Sequence, residues 1–363
     1  MITYKYNIYK SKNTKCIDSM LRECCFVWNH ALSLQKRYYK LYGKYISYVK
    51  MSSHFTKHFK RNLLHSQTRQ EILRRLDDAY QRFFKRLAKR PPKYKKARYF
   101  SSFVFTQGGY TLNGNVFTIN KIKRRFKFSY SREYEGKVKQ IRVKRSNYNR
   151  YELYIITDHS LNGTCGKTHN GASVGIDFGL KTYMTLSDGT EYQSPLFFRQ
   201  YQDKIRKANR KLSKTKKGSN NRKRRNFELD QIHRRIKSKR SDYQYKLAHE
   251  LCQKYDYIFI ETLNIESMKH LWGKKISDLS HSSFISILEH VALKYNVVVH
   301  KIDKWYPSSK TCECGYINKT LSLKDRKWIC PECGLINERD LLAAKNILRR
   351  GIYELESKSR TSL

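Results

Sequence analysis

The sequence predicts an α+β protein with several domains, and three changes of pattern along its 363 residues carry that prediction. Apolar residues first recur at helical spacing between residues 16 and 87. Short alternating runs with turns between them follow over 98–158, and strands alternate with helices from residue 173 onward. A polar, glycine-rich segment at 160–172 separates the last two regions and predicts a domain boundary.

The N-terminal region is predicted to contain a short strand and two amphipathic helices. Alternating apolar residues over 2–8 indicate the strand. Each helix has an apolar stripe that predicts packing against a core, and Pro91–Pro92 cannot continue the second helix. The first stripe consists of Ile17, Met20, Leu21, Cys24, Trp28, Ala31 and Leu32. The second stripe consists of Ile72, Leu73, Leu76, Ala79, Tyr80, Phe83, Phe84 and Leu87.

The two regions that follow are rich in short strands. Over 98–158 the runs, with an Asn113–Gly114 turn, indicate an antiparallel barrel or a small sheet. Beyond residue 173 apolar strands alternate with helical segments, as in an α/β sheet. Residues 196–253 are predicted to form a long, very basic helical pair with a flexible joint at 216–221. The remaining elements are strands at Val174–Asp177, Thr182–Leu186, Tyr257–Ile260 and Val297–His300 and a helix over 280–295.

The charge balance is the most extreme feature of the composition. The chain has 76 Lys+Arg against 30 Asp+Glu, which gives a net charge of +46. A surface this positive repels itself unless it lies against a polyanion, and each cation that neutralises a phosphate adds affinity for nucleic acid. A generic basic surface, or a ribosomal-type protein, is the alternative that charge alone leaves open.

Basic residues interleaved with aromatic ones indicate where nucleic acid could bind, because cations hold phosphates while aromatic rings stack on bases. Such stretches occur at Arg37–Tyr39, Arg82–Arg90, Tyr94–Tyr99 and Arg222–Arg225, and the candidate contact residues are Arg82, Arg86, Arg222 and Arg224. No apolar stretch approaches the ~20 residues of a transmembrane helix. The N-terminus also lacks the apolar core of a signal peptide. We therefore expect a cytoplasmic chain with reduced thiols.

Three acidic residues stand out in a chain that is otherwise short of acid. Asp177 and Glu261 each end a short apolar strand, and Asp340 begins an amphipathic segment. Strand-end carboxylates lie at the carboxyl edge of an α/β sheet, where such sheets build their sites. Carboxylate oxygens suit Mg²⁺, and two such ions about 4 Å apart support phosphodiester hydrolysis. Any one of these acids could be a cap or turn residue, but three in matching contexts favour a metal site.

Four of the nine cysteines form two close pairs near the C-terminus. Cys312 and Cys314 are separated by one residue, Cys330 and Cys333 by two, and fifteen residues lie between the pairs. Two thiolate pairs of this kind are typical of a tetrahedral structural zinc site. The one-residue spacer of the first pair could strain or weaken that site. Unliganded thiols and an Fe–S cluster are the alternatives.

Taken together, these residues resemble the TnpB family of transposon-encoded RNA-guided nucleases, which are related to type V CRISPR effectors. The resemblance extends over nearly the whole chain, and its acidic positions, cysteine pairs and their order are its specific parts. The matching segments are Cys25–His30, Leu76–Phe84, Gly175–Gly179, Ile260–Leu263, Ser308–Cys312, the second cysteine pair and Arg339–Asp340.

For the fold, the resemblance implies an N-terminal β-barrel called the wedge, with a helical recognition lobe inserted in it. An RNase H-like α/β domain of the RuvC type follows, interrupted by a zinc-ribbon-like insertion. The implied ranges are 1–10 and 91–160 for the wedge, 11–90 for the lobe, 172–306 and 336–352 for the RuvC domain, 307–335 for the insertion, and 353–363 for a C-terminal tail.

For function, the resemblance implies an endonuclease that cleaves double-stranded DNA beside a short motif, with Asp177, Glu261 and Asp340 as catalytic ligands of Mg²⁺ or Mn²⁺. A guide RNA transcribed from the end of the transposable element would supply most of the sequence specificity. The motif would be read by Gln67, Gln70 and Thr106. A monomer on one RNA, near the nucleoid of a prokaryotic cell and with no membrane partner, is the expected form. A functional link to a separate transposase is also implied.

The chain departs from the family pattern in three places. The first cysteine pair is one residue short, Glu338 replaces the usual Asp, and Leu342 replaces the usual Asn, which predicts weaker support of Asp340. Three other functions are considered. A guided DNA-binding repressor would not cleave, but such family members lose acids of the triad. An RNase H-like strand-transfer transposase shares the chemistry, and a basic RNA-binding protein would not need the acids.

Overall fold

The computed structural model describes residues 1–59, 63–146, 150–161, 163–263, 273, 278–322 and 325–361. The chain forms two compact units, Met1–Ser160 and Leu161–Leu363. No helix in the described part of the chain is both long and apolar enough to cross a lipid bilayer.

The described residues of the first unit form three α-helices and two antiparallel sheets. One sheet has the strand order β1-β7-β6-β2, and the other has the order β3-β4-β5. The elements in chain order are β1 (Ile2–Ile8), α1 (Thr14–Tyr42), α2 (Tyr48–His58), α3 (Ser66–Phe84), β2 (Ser102–Phe105), β3 (Tyr110–Asn113), β4 (Val116–Ile119), β5 (Arg124–Lys127), β6 (Val138–Ser146) and β7 (Arg150–Thr157).

The N-terminal strand pairs with the far end of the same unit. Ile2 lies opposite Thr157 in the antiparallel pair of β1 and β7, and the predicted alternation of buried and exposed residues over 2–8 is confirmed. In the sequence, helices α1, α2 and α3 therefore lie between β1 and β7, which are neighbours in the sheet. A bridge between Ile8 and Phe128 connects the two sheets. The antiparallel region expected over 98–158 thus takes the form of two linked sheets in its described part.

The two predicted helices of this unit form, but the second apolar stripe is too long. Every residue of the first stripe is buried within α1. Phe84 and Leu87, in contrast, are 52% and 69% exposed, so their assignment to the core is wrong. Helix α3 ends at Phe84, and Arg86 adopts a left-handed conformation with φ of 58°. The chain therefore turns before Leu87 can continue the buried face. Helix α2 has no counterpart among the predicted elements.

The second unit is built around a five-stranded mixed sheet with the order β10-β9-β8-β11-β12. Strands β8, β11 and β12 are parallel, whereas β9 is antiparallel to both β8 and β10. The elements in chain order are β8 (Ser173–Asp177), β9 (Thr182–Leu186), β10 (Glu191–Gln193), α4 (Phe197–Gln200), α5 (Gln202–Ser213), α6 (Asn220–Lys254), β11 (Tyr257–Glu261), α7 (His281–Tyr295), β12 (Val298–Ile302), β13 (Lys327–Ile329), β14 (Ile336–Glu338) and α8 (Arg339–Thr361).

Helices cover both faces of this sheet, because its central strands are apolar on both sides. Val174 and Ile176 of β8 and Ile258 and Ile260 of β11 point to one face, where they form a core with residues of α6 and α7. The opposite face receives α8, whose Ile347 packs into a separate core. The predicted α/β architecture and the predicted long helical pair are confirmed.

Glycine allows α8 to lie unusually close to the sheet. A Cβ atom on Gly175 of β8 would overlap the backbone of α8 at Ala344, and a Cβ atom on Gly351 of α8 would overlap the ring of Phe259 in β11. Glycine inside a helix normally costs about 1 kcal/mol relative to alanine. Its presence at residue 351 is therefore explained by close packing, which brings the helix against both central strands.

Replacing Gly351 by alanine should destabilise the protein, although alanine is the better helix former. Overpacking of a close contact typically costs about 1–3 kcal/mol, which exceeds the gain in helix propensity. Urea denaturation of Gly351→Ala and wild type measures the difference. Gly166→Ala is the matched control, because no atom lies within 4 Å of the added Cβ there. Equal stability of Gly351→Ala and wild type would contradict the close packing.

Helix α8 also extends further than the C-terminal tail predicted for 353–363. The helix continues to Thr361, and residues 362–363 lie outside the described part of the chain. Glu354 accepts a hydrogen bond from Arg350 at 2.7 Å and lies 3.0 Å from His300 of β12. Leu355 packs against the core that contains Phe259. These contacts hold α8 on the sheet as far as Leu355, and the helix itself continues through most of the predicted tail.

Candidate active site

Two of the three predicted acids lie at the carboxyl edge of the central strands. The register of the parallel pair β8 and β11 gives Asp177 and Glu261 equivalent positions at the strand ends. Gly175 and Phe259, two residues earlier in each strand, face α8. Because strand residues alternate between faces, the side chains of Asp177 and Glu261 lie on the α8 side of the sheet.

The third acid, Asp340, belongs to a helix and not to the sheet. Strand β14 leads directly into α8, which makes Asp340 the second residue of that helix. An acid in the first turn is favoured by the positive end of the helix dipole. The charges of Glu261 and Asp340 both act on Asp177, so the three carboxylates lie near enough to interact electrostatically.

The electrostatics of the site oppose full ionisation. Burial raises the pKa of Asp177 to about 7, and the negative charges of Glu261 and Asp340 act in the same direction, while Arg339 and Arg326 act against it. Burial also raises the pKa of Glu261. Carboxylates clustered in this way are destabilising unless a cation joins them. The donor set therefore fits hard divalent ions such as Mg²⁺, which prefer carboxylate oxygens.

Without divalent ions, the site should make the protein less stable as the pH rises. The folded-state pKa of Asp177 lies above the unfolded value of about 4, so stability is lost between pH 4 and pH 7. Asp177→Asn removes this loss, and its melting temperature should exceed that of wild type by about 5 °C at pH 8 but not at pH 4. Thermal melts in buffers cleared of divalent ions by resin, with bound zinc left in place, test this. Equal melting temperatures at pH 8 would contradict the raised pKa.

The four predicted zinc ligands also come together. Their sulfur atoms all lie within 4.8 Å of one another, and the distances between Cys312 and Cys333 and between Cys314 and Cys330 are 3.6 Å. A tetrahedral site with Zn–S bonds of about 2.3 Å requires sulfurs about 3.8 Å apart. The cysteines thus fit a structural zinc ion, and the short first pair does not prevent its two thiols from reaching the cluster.

The two cysteine turns have closely similar backbones. The amide of Cys330 donates to the carbonyl of Leu335 and that of Cys312 to the carbonyl of Tyr316, so the first turn is the second with one residue removed. Burial opposes ionisation of the Cys312 thiol, but the backbone amide of Cys314 and the side chain of Asn337 lower its pKa to about 7. A thiol that ionises readily is a better zinc ligand.

The other two departures from the family pattern have a structural explanation. Leu342 is buried against Cys312, Trp328 and Cys330, where it joins α8 to the cysteine cluster by apolar packing. Glu338 pairs with Lys327 across the β13–β14 ladder at 2.6 Å and is exposed. Leu342 therefore supports the position of α8 by packing in place of a polar contact.

The sequence did not single out two residues that contact these sites. Arg326 donates to both carboxylate oxygens of Asp340 at 2.9 Å. The side-chain amide of Asn337 donates to the sulfur of Cys312 at 3.5 Å. One arginine among 76 cations carries no signal, whereas Asn337 closes a Cys-Gly-x-Ile-Asn segment that occurs after both cysteine pairs and could have been noticed.

The four arginines predicted to contact nucleic acid differ in exposure and in their hydrogen bonds within the protein. Arg82 and Arg86 are exposed at the end of α3, and Arg224 is 78% exposed on α6. Arg222 is partly buried, and one of its guanidinium nitrogens, Nη1, donates to the carbonyls of Leu212 and Thr215 in the turn between α5 and α6. It therefore stabilises the basic helical pair, and its role in binding nucleic acid stays a prediction.

The three predicted motif readers lie in the first unit. The side-chain oxygen of Gln67 accepts from the backbone amides of Gln107 and Gly108 at 3.0 and 2.9 Å, so it holds the loop that begins at Thr106. Its amide lies 3.5 Å from the side chain of Gln107. Gln70 is partly buried one turn further along α3. The structure brings Gln67 next to the Thr106 loop, and their role as readers stays a prediction.

The fold and the two clusters define a class. A mixed sheet with the order β10-β9-β8-β11-β12, two acids at its carboxyl edge with a third at the start of α8, and a cysteine cluster between β12 and α8 describe a mixed α/β domain with a zinc-ribbon-like insertion. Two family models match this part of the chain, OrfB_IS605, described as "Probable transposase", over residues 162–271, and the Cas12f1-like TNB domain over residues 281–347. These matches support the resemblance of the chain to the TnpB family.

Two similar proteins align over nearly the whole chain, and a third aligns over half of it. A Streptomyces pristinaespiralis protein described as a candidate RNA-guided DNA endonuclease is 29% identical over 361 residues, covering 96% of this chain and 89% of that protein. InsQ of Escherichia coli K12, described in the same way, is 27% identical, covering 90% and 86%. A TnpB-like protein of Acanthamoeba polyphaga mimivirus is 34% identical, covering 50% of this chain and 37% of its own length.

A solved structure shares the fold. The chain aligns with the protein in a cryo-EM structure of a Cas12f1–sgRNA–target DNA complex with a TM-score of 0.57 and 14% identity. The alignment covers 93% of this chain and 83% of that one. At this level of identity the likeness concerns the fold alone.

Proposed function

We propose that this chain is an RNA-guided, metal-dependent endonuclease of a transposable element that cleaves double-stranded DNA next to a short motif. The observation that supports the proposal best is the position of Asp177 and Glu261 at equivalent ends of two central strands, with Asp340 near enough to act electrostatically on Asp177. The net charge of +46 supports a nucleic-acid substrate. The names of the two relatives that align along nearly the whole chain support RNA guidance and DNA cleavage.

In this proposal, Asp177, Glu261 and Asp340 hold two Mg²⁺ or Mn²⁺ ions. When bound, such ions activate a water molecule and stabilise the leaving oxygen of a phosphodiester, which leaves 5′-phosphate and 3′-hydroxyl ends. Burial and its acidic neighbours hold the pKa of Asp177 near 7. Asp177 must therefore lose a proton before it acts as a ligand. Glu261 completes the ligand set from the adjacent strand, and Asp340 completes it from the start of α8.

The remainder of the chain would hold the guide and the target. Base pairing with the guide supplies sequence specificity in other guided nucleases, while the protein holds the heteroduplex by its shape and charge. Helices α5 and α6, with exposed cations such as Arg206 and Arg224, offer such a surface. We expect a cytoplasmic monomer on one guide RNA from the end of the element, with a separate transposase as its functional partner.

Cleavage by the purified complex tests the proposal. The chain is purified with RNA co-expressed from the end of its element, the bound RNA is sequenced, and the complex is incubated with matched linear DNA and Mg²⁺. Cleavage that requires both Mg²⁺ and the match is expected, and a mismatched DNA of equal length is the control. Binding of the matched DNA without cleavage would replace the proposal by the guided-repressor hypothesis. A failure to retain RNA would favour a basic RNA-binding or transposase function.

A further inference from the structure

A positive side chain of the zinc-binding insertion lies among the three acids. Arg326 donates to both carboxylate oxygens of Asp340, each at 2.9 Å, and the two side chains are 45% and 30% exposed. One guanidinium nitrogen, Nη1, makes both contacts, and hydrogen bonds between charged groups of this kind are roughly twice as strong as those between neutral groups. The charge of Arg326 also acts on Asp177, where it opposes the burial and the acidic neighbours that raise the pKa of that carboxyl group.

The backbone holds Arg326 in this position. The amide of Arg339 donates to the carbonyl oxygen of Arg326 at 2.9 Å, one step beyond the β13–β14 ladder in which Lys327 lies opposite Glu338. This ladder fixes the position of Arg326 beside the first turn of α8. The contact with Asp340 is therefore built into the fold and does not depend on a flexible loop meeting the site by chance.

The cysteine cluster holds the other end of the same ladder. Cys330 follows β13 directly and Cys333 precedes β14 by three residues, so these two members of the cysteine cluster lie at the turn between the two strands. Trp328 of β13 is buried against this cluster. The position of Arg326 is consequently coupled to the zinc-binding insertion through one short pair of strands.

We propose that Arg326 is an internal counter-ion of the acidic site, which neutralises Asp340 in the metal-free protein and must leave it when a divalent ion binds. This inference rests on the proposed function, since it assumes that the acids hold the metal. A guanidinium and a divalent cation compete for the same carboxylate and repel each other. Arg326 therefore raises the metal concentration that the nuclease needs, and a movement of the insertion that withdraws it favours metal binding.

Direct measurement of Mn²⁺ binding to the zinc-loaded protein tests the inference without any cleavage assay. Free Mn²⁺ is titrated and followed by electron paramagnetic resonance for wild type, Arg326→Gln, Arg326→Lys and Asp177→Asn. Arg326→Gln should bind Mn²⁺ about threefold to tenfold more tightly than wild type, because the competing ion pair is gone. Arg326→Lys keeps the positive charge but changes the length and shape of the side chain, and its affinity for Mn²⁺ should lie between those of wild type and Arg326→Gln.

Lys327→Gln is the matched control. It removes the same charge from the neighbouring residue, but Lys327 is 69% exposed and pairs with Glu338. Its affinity for Mn²⁺ should stay within about twofold of wild type, since an exposed charge is well screened. An equal gain in Lys327→Gln and Arg326→Gln would show that net charge alone is responsible, and it would overturn the proposal.

Thermal melts distinguish a counter-ion from a residue that merely positions Asp340. As a counter-ion, Arg326 stabilises only the metal-free form, so Arg326→Gln should melt lower than wild type without metal and equally at saturating Mn²⁺. A positioning role predicts a lower melting temperature in both states and weaker Mn²⁺ binding, which would overturn the inference. If wild type binds no more Mn²⁺ than Asp177→Asn, the proposed metal site itself fails.

Discussion

Asp177→Asn is expected to lower the rate of DNA cleavage by about a thousandfold or more while leaving RNA and target binding intact. The amide has the shape of the carboxylate but no charge, so the ions that activate water and stabilise the leaving oxygen are held poorly. Each of these effects supplies several kcal/mol, and every 1.4 kcal/mol changes a rate by about tenfold. Single-turnover cleavage of matched DNA, together with a filter-binding measurement of the same complex, gives both quantities.

Glu338→Gln is the control for this substitution. It also converts an acid to its amide, two residues from Asp340, but Glu338 is exposed and pairs with Lys327. Its cleavage rate should stay within about threefold of wild type, as for most surface substitutions. Cleavage that survives in Asp177→Asn would remove the three acids from the mechanism. Loss of target binding in Asp177→Asn would instead show that the substitution damages the fold.

Cys330→Ser is expected to release the zinc ion and to loosen the insertion. Structural zinc contributes roughly 10 kcal/mol or more of apparent binding free energy in small zinc domains, so the loss of one thiolate has a large effect. Zinc content measured by plasma mass spectrometry should fall from one ion per chain to a small fraction. Cleavage should fall as well, because β14 continues into α8 and Leu342 packs against the cysteines.

Two further variants make this result specific. Cys314→Ser, in the short cysteine turn, should lose zinc as completely as Cys330→Ser, because its sulfur lies in the same cluster. Cys16→Ser removes a thiol from α1 in the first unit and should keep its zinc. Unchanged zinc in Cys330→Ser would contradict the site. Loss of zinc from Cys330→Ser alone would show that Cys314 is not a ligand.

Local patterns in the sequence were sufficient for most of the fold. In a helix or a strand, the spacing of buried residues follows the period of that element. This explains why the sequence predicted the alternating residues of 2–8, the apolar stripe of α1 and the apolar runs of β8 and β11. The limits of prediction lay where an element ends. Phe84 and Leu87 have the spacing of a buried stripe, but the left-handed Arg86 redirects the chain. Residues 353–361 are polar enough for a tail, yet they continue α8, and Glu354 contacts His300 of β12.

The candidate site was predicted to the same extent. Asp177, Glu261, Asp340 and the four cysteines were visible because each stands in a recognisable local context. A second role of Arg222 was not visible in the sequence. Its sequence context is that of a phosphate-binding cation, and only the structure shows that it also donates to the carbonyls of Leu212 and Thr215 in the turn after α5.

By itself, the sequence determined that this chain carries three acids in contexts that favour a metal site, two cysteine pairs and a net charge suited to nucleic acid. Those properties depend on residue identity and spacing, which are local. The tertiary structure decided that Asp177 and Glu261 end neighbouring strands, that Gly175 and Gly351 let α8 approach the sheet, and that Arg326 lies against Asp340. Each of these depends on strand register and helix packing between distant segments, where the free energy of a contact is set by its neighbours in space and not by its neighbours in the chain.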